Sequence, residues 1–415
     1  VAVPRLASRD GDHANVHFVK AIFNTIGIDR AVGYGLVSRI WGLAAGPISL
    51  LIIANRFSKE QQGFYYTFGS ILALQIFFEL GLTGVIATFA SHEFVKMRWD
   101  DDGGVSGDPI AVQRFIDLLG KSSKWFGISA LLLPVALIPA GLAFFGGERN
   151  ELSFPWELPW ILAVLSTSLN LASTPFFAVI MGSGDVVTVN QRSMAGMIAG
   201  SFVSWLVIWF HGGLYAVCAI TLGTALISYS YLLSRKRKLL QLAWRNIAGS
   251  FVARPGRDTI SWWSEIWPLQ WRIAISWISG YFLFQMFNPI LFHYHGSVIA
   301  GQMGLTLSAS NALLGASITV LHARSPQLSM LIAQGKWRAL DRLFHRVMAQ
   351  SAAMAAAGAI VGSGAIWYLQ AHFALGQRFL PAWQAALLLA TVTPIVVIYA
   401  LATYLRAHKQ EPLMY

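Results

Sequence analysis

The stretch IWPLQWRIAISWISGYFLFQMFNPILFHYHGSVIAGQMGLTLSASNALLGASITVLHA, residues 266 to 323, carries one formal charge, Arg272, in an otherwise uncharged and largely apolar run. A bilayer core about 30 Å thick takes roughly 20 apolar residues per helical crossing, at about 1.5 Å of rise per residue. The run is too long for one crossing. Asn288, Pro289 and the pair His293 and His295 with Gly296 supply turn chemistry near its middle, so it reads as a hairpin of two membrane-spanning helices.

Outward from this hairpin the pattern recurs. Uncharged runs occupy 31 to 55, broken only by Arg39, and 61 to 91, broken only by Glu79, then 125 to 147, 158 to 184, 193 to 234, 347 to 377 and 379 to 405. The run 193 to 234 is again of double length, with His211, Gly212 and Gly213 as its turn, which makes ten spans in all. The expected fold class is an all-α polytopic membrane protein. With the N-terminus in the cytoplasm, 25 of the 30 Lys and Arg fall on the inner side, and only Arg56, Lys59, Arg149 and Arg378 on the outer. Such a bias is what the positive-inside rule demands.

Charged residues are 12% of the chain and hydrophobic residues 55%, against roughly 25% charged in soluble domains. A water-soluble core of this length is excluded. The net charge of +11 is then no nucleic-acid footprint, because the basic residues sit in short loops beside spans, where they fix topology and face anionic inner-leaflet lipid. Cys218 is the only cysteine and lies within a span, leaving no disulfide framework and no thiolate metal site. No signal-peptide pattern precedes the first span, which is expected to act as its own insertion signal. Trp156, Trp160, Trp262, Trp263, Trp267 and Trp383 fall near span ends and read as interfacial anchors.

Residues 235 to 265 form the longest polar connection between spans and divide a six-helix bundle, 1 to 234, from a second bundle, 266 to 415, with four spans. Within the connection, Leu239, Leu240, Leu242, Ala243, Ile247 and Phe251 share near-helical spacing with Lys238, Gln241, Arg245 and Asn246, as in an amphipathic helix on the inner surface. The second bundle reads as a worn copy of the first. RIWGLA at 39 to 44 matches RIAISW at 272 to 277, and GFYYTFGSIL at 63 to 72 matches GQMGLTLSAS at 301 to 310. QRFIDLLGK at 113 to 121 likewise matches WRALDRLFH at 337 to 345. Six spans separate the copies, so the repeat is parallel, about an axis along the membrane normal, with a cavity between the bundles. The second copy stops after four spans at Tyr415, and the expectation is a twelve-span protein lacking its last pair in this sequence.

The stretch SRIWGLAAGPISLLIIANRFSKEQQGFYYTFGSILALQIFFELGLTGVIATFASH at 38 to 92 resembles the opening hairpin of the Wzx-type polysaccharide flippases of the multidrug/oligosaccharidyl-lipid/polysaccharide (MOP) exporter superfamily. Ser58, Glu60, Gln61, Gly63 and Tyr65 match that family's short external turn, and Leu80, Gly81 and Leu82 its break partway along the second span. YLRAHKQEP at 404 to 412 is similar to its connection after the tenth span. The resemblance implies a transporter, not an enzyme, that flips an undecaprenyl-pyrophosphate-linked oligosaccharide across the bacterial inner membrane by alternating access between two bundles. It also implies service to cell-surface polysaccharide synthesis beside a polymerase or glycosyltransferase.

Such a substrate needs a wet, cationic cavity, and charges within spans are functional candidates by default. Arg39 and Arg272 occupy matching places in the two copies and are expected to hold the pyrophosphate, arginine's planar fork suiting phosphate oxygens. Snorkelling to the inner surface is the structural alternative. Glu79, some 18 residues into its span, is the expected cavity carboxylate, pairing with Arg39 or binding a coupling H+ or Na+. Gln75, Gln270, Gln285, Asn170 and Asn311 are span amides that either meet sugar hydroxyls or bridge helices, bridging being the commoner use. Asp185 and Arg192 are read as solvated in an internal turn. No cofactor is expected, and His293 and His295 have no third ligand in view for a metal. Two other readings stand beside flipping: a cation-coupled multidrug antiporter of the same fold, and a non-transporting scaffold subunit of a polysaccharide synthase.

Overall fold

The computed structural model describes residues 30–100, 103–148, 154–249 and 260–407. The expectations placed on Phe251, Arg149 and the end of the chain after Ala407 lie outside them. The apolar runs fold as helices, since in lipid each segment must satisfy its own backbone N–H and C=O groups. In chain order these are α1 (Arg30–Arg56), α2 (Lys59–Leu72), α3 (Ile76–Glu79), α4 (Leu82–Phe94), α5 (Pro109–Phe145), α6 (Glu157–Gly182) and α7 (Val186–Trp209). They continue as α8 (Tyr215–Arg235), α9 (Arg237–Gly249), α10 (Trp267–Phe284), α11 (Phe287–Ala333), α12 (Trp337–His372), α13 (Ala382–Ala390) and α14 (Val392–Ala407). Between α4 and α5 a small antiparallel hairpin pairs β1 (Met97–Trp99) with β2 (Val105–Gly107). The molecule is an all-α polytopic membrane protein.

Among the described residues, seven helical stretches are long and apolar enough to cross a membrane, and eight with the bent pair Lys59–Glu79 and Leu82–Phe94. Two features separate this count from the ten spans of the sequence reading. Within the opening helix the apolar part among the described residues is Ala44–Arg56, and one stretch, Trp262–His322, runs for 61 residues but doubles back. Tyr281 and Asn288 both hydrogen-bond to Ser70 of α2, at 3.2 Å. Ser297 then lies against Gly63, and Gly304 against Tyr66. Neighbours along α2 thus move toward its N-terminus and back again. The reversal falls at Gly296, whose φ of 81° interrupts α11. A second turn at His211 (φ 61°) and Gly213 (φ 54°) joins α7 to α8.

One large apolar core runs from Ile53 of α1 through the helices up to α9 and continues to Ile266, just before α10, and to Phe292 and Ala300 of α11, with Ile273 and Leu291 packed against it. Three smaller cores belong to α11 to α14, around Met303 and Leu389, around Leu321 and Phe344, and around Ala355 and Val396. The tryptophans divide accordingly. Trp263 and Trp383 are exposed as interfacial anchors would be, but Trp156 and Trp160 are buried, packed with Phe64, Phe68 and Phe145. Trp160 donates its Nε1–H to Leu137 O at 3.2 Å. Nearness to a span end did not distinguish a lipid-facing ring from a helix-facing one.

Candidate functional site

The span beginning at Lys59 is broken. After the 3-10 turn Ala73–Gln75 and the single turn of α3, Leu80 (φ 50°) and Gly81 (φ 67°) are both left-handed, and the axis bends by 42°. A carbonyl freed at the break, that of Phe78, accepts from Trp125 Nε1 at 3.0 Å. Glu79 is the last residue before the break. It is half-buried, accepts a hydrogen bond from the Thr83 hydroxyl, and forms no ion pair among the described residues. Gly182, at the end of α6, lies against Ala87 and Ala90 of α4, and Glu79 precedes both, on the other side of the break.

Helix α10 lies across the break. A side chain at Gly81 would meet Ile273 and Trp277, so glycine is required there both for its conformation and for this approach. Arg272 is on the opposite, exposed side of α10, its guanidinium 5.6 Å from the Trp271 ring, and it does not reach Glu79. The side chain of Arg39, on α1, lies outside the described residues. The amides separate into two kinds. Gln270 is fully buried and both ends of its amide lack a partner, and Asn170 bridges helices by donating to Thr221 O at 2.6 Å. Asn170 is half-buried. Gln285 and Asn311 are exposed and Gln75 is half-buried.

The two groups of helices meet at the end bearing Lys59 and Gly296, hereafter the far end. Gly63 touches Ser297 and Gly301, backbone against backbone. Gln62, 1% exposed, donates to Gly301 O at 2.8 Å and Arg378 O at 3.1 Å. Arg378 donates to Phe57 O at 2.7 Å, and Lys59 to Gln377 at 3.0 Å. Burial draws Arg378 below the usual arginine range, and the Glu60 carboxylate opposes that shift. These residues were not singled out in the sequence as a site. The signal available was the paired heads Gly63 and Gly301 of the repeated stretches.

At the basic end the arms of the hairpin part. α10 packs on α3 and α4, whereas α11, besides its contacts with α1 and α2, packs on α12 and α14, and among the described residues no core cluster joins the two groups there. α10 is tied to its neighbours by Arg114, which bonds Glu93 and Glu265 at 2.7 Å each. Lys121 and Asp117 add to this by holding the backbone of Ile260. Arg192 is not solvated as expected. It lies on α7, 4.0 Å over the Phe177 ring and 3.1 Å from Ser228 Oγ, because six residues of helix separate it from its N-cap Asp185 and carry it into the packed bundle.

A multidrug resistance MATE family transporter of the MOP superfamily, in an inward-facing conformation, aligns with 90% of this chain and 80% of its own at 14% identity and a TM-score of 0.50. The fold is that of the MATE transporters. A MOP superfamily transporter from Pyrococcus furiosus, with a binding pocket described as of reverse polarity, aligns over 92% of this chain and 80% of its own at 13% identity and a TM-score of 0.45. No family model matches the sequence, and no curated protein matches it.

Proposed function

We propose that this MATE-fold chain is an alternating-access flippase for a lipid-linked anionic oligosaccharide of the undecaprenyl-pyrophosphate type. It would act in the bacterial inner membrane, with the basic end and the N-terminus cytoplasmic. The observation that carries this reading is the exposed face of α10. Arg272 is exposed on α10 among Trp271, Ile275, Phe282 and Leu283, which are exposed as well. A cation set in an apolar face suits a pyrophosphate on a greasy tail, since the tail stays in lipid while the head enters the gap between α10 and α11. Opening of the far-end seam would then release the head on the other side. Glu79 is the candidate coupling site for H+ or Na+, and a polymerase or glycosyltransferase the candidate partner.

One observation favours the antiporter reading instead. Glu79, at a helix break with Thr83 as its hydrogen-bond donor, is a carboxylate available to a cation. The two readings separate in proteoliposomes given a fluorescent undecaprenyl-pyrophosphate sugar in one series and a cationic drug in another. Flipping of the lipid that falls at least tenfold in Arg272→Ala, with expression unchanged, is the expected result. Drug transport abolished by Glu79→Gln, with no lipid flipping by the unaltered protein, would overturn it in favour of the antiporter.

A further inference from the structure

The helix α9 has two faces of opposite character. Leu239 and Ala243 are buried, and Asn246 lies against Gly120 of α5, so one face is docked on the bundle. The other face carries Arg237, Leu240, Gln241, Trp244 and Arg245. These fall at helical spacings of three and four and, with Leu233 of α8, line an open cavity of about 430 Å³. Trp244 is 71% exposed and Leu233 60%. α9 contains no acidic residue, and neither Arg237 nor Arg245 forms an ion pair among the described residues. Docking on α5 at Gly120, just below the uncharged run that starts at residue 125, sets this face at the level where chains of the basic-end leaflet meet their headgroups.

We propose that this cavity binds the phosphate headgroup of an anionic phospholipid, with Arg237 and Arg245 on the phosphate and Leu233, Leu240 and Trp244 against the upper acyl chain. The combination fits a lipid better than a free anion, because two arginines alone would serve a soluble phosphate, whereas an exposed indole and two leucines beside them have use only for a chain. A single arginine near a charged surface already attracts such lipid. Here two of them share one concave site with an interfacial tryptophan.

The test is native mass spectrometry of the full chain released from nanodiscs containing phosphatidylglycerol and phosphatidylethanolamine in equal amounts. One phosphatidylglycerol retained in preference to phosphatidylethanolamine is expected, with retention falling at least tenfold in the Arg237→Gln, Arg245→Gln double variant. The control pair Arg338→Gln, Arg342→Gln, exposed basic residues on α12, should retain the lipid. Both arginines of the cavity are exposed, and an unchanged melting temperature of the double variant checks that the fold persists. Trp244→Ala reads the apolar part separately and should weaken retention with both charges in place. Equal retention of the two lipids, equal loss in the control pair, or displacement by millimolar inorganic phosphate would overturn the proposal, the last by making the site one for a soluble anion.

Discussion

Gly63 and Gly301 bring two backbones into contact at the far end, whereas at the basic end the same two groups of helices keep separate apolar cores. The difference lies in the kind of contact as much as its extent. Much of the far-end seam is polar: amide and guanidinium donors from Gln62, Lys59 and Arg378 on carbonyl and amide oxygens, around a crossing of small residues. Contacts of this kind contribute about 1 kcal/mol each because water replaces them when they part. The cores inside each group have no such substitute and stay intact. A junction that must open repeatedly is therefore built from hydrogen bonds and glycine, and the parts that move as units are built from Phe, Trp and Leu.

The comparison is broken most directly at Gly63. A leucine there would fall on the Ser297 backbone, and overpacking of this kind costs about 2 kcal/mol, a roughly 30-fold shift from closed to open. Spin labels at Phe210→Cys and Tyr294→Cys, in a Cys218→Ser background, should report a longer separation for Gly63→Leu. An unchanged distance distribution would mean that the seam is not the closing element. At the other end, Arg114→Ala should leave the far-end distance as it is and loosen α10. Its ion pairs are partly exposed, with Arg114 at 24%, so roughly 1 kcal/mol is at stake. Amide exchange over residues 262–284 should rise about fivefold, and no change would show that the apolar face alone holds α10. The smallest effect belongs to Lys59→Ala. Its bond to Gln377 is exposed, and the distance distribution should shift by no more than about twofold in population. A shift as large as that of Gly63→Leu would move the closing energy from the glycine crossing to the surface.

Most of the helices were legible in the sequence because charge interruptions and turn residues mark span ends without reference to packing. Both double-length runs reverse where His211 to Gly213 and Gly296 stand, and the break falls at Leu80 and Gly81. Lateral packing was not legible. Trp160 and Trp263 are the same residue type near a predicted span end, yet one is fully buried and the other 73% exposed, since lipid and a neighbouring helix are alike in polarity and leave little compositional trace. The same ambiguity hid which side of α10 faces the bundle: Gln270, for which sugar contact and helix bridging both stood open, is buried. Arg192 was misread for a related reason. Its place just before an uncharged run suggested a loop, but the helix begins at Val186, earlier than the charge pattern marks.

Leu80 is a non-glycine residue at φ 50°, a conformation that costs an L-residue roughly 1 kcal/mol. The bent span therefore holds a small reserve of elastic energy, balanced in this state by Trp125 on the freed carbonyl and by α10 across Gly81. Withdrawal of α10 would remove one of the two contacts that hold the bend, and straightening of the span would then recover that energy.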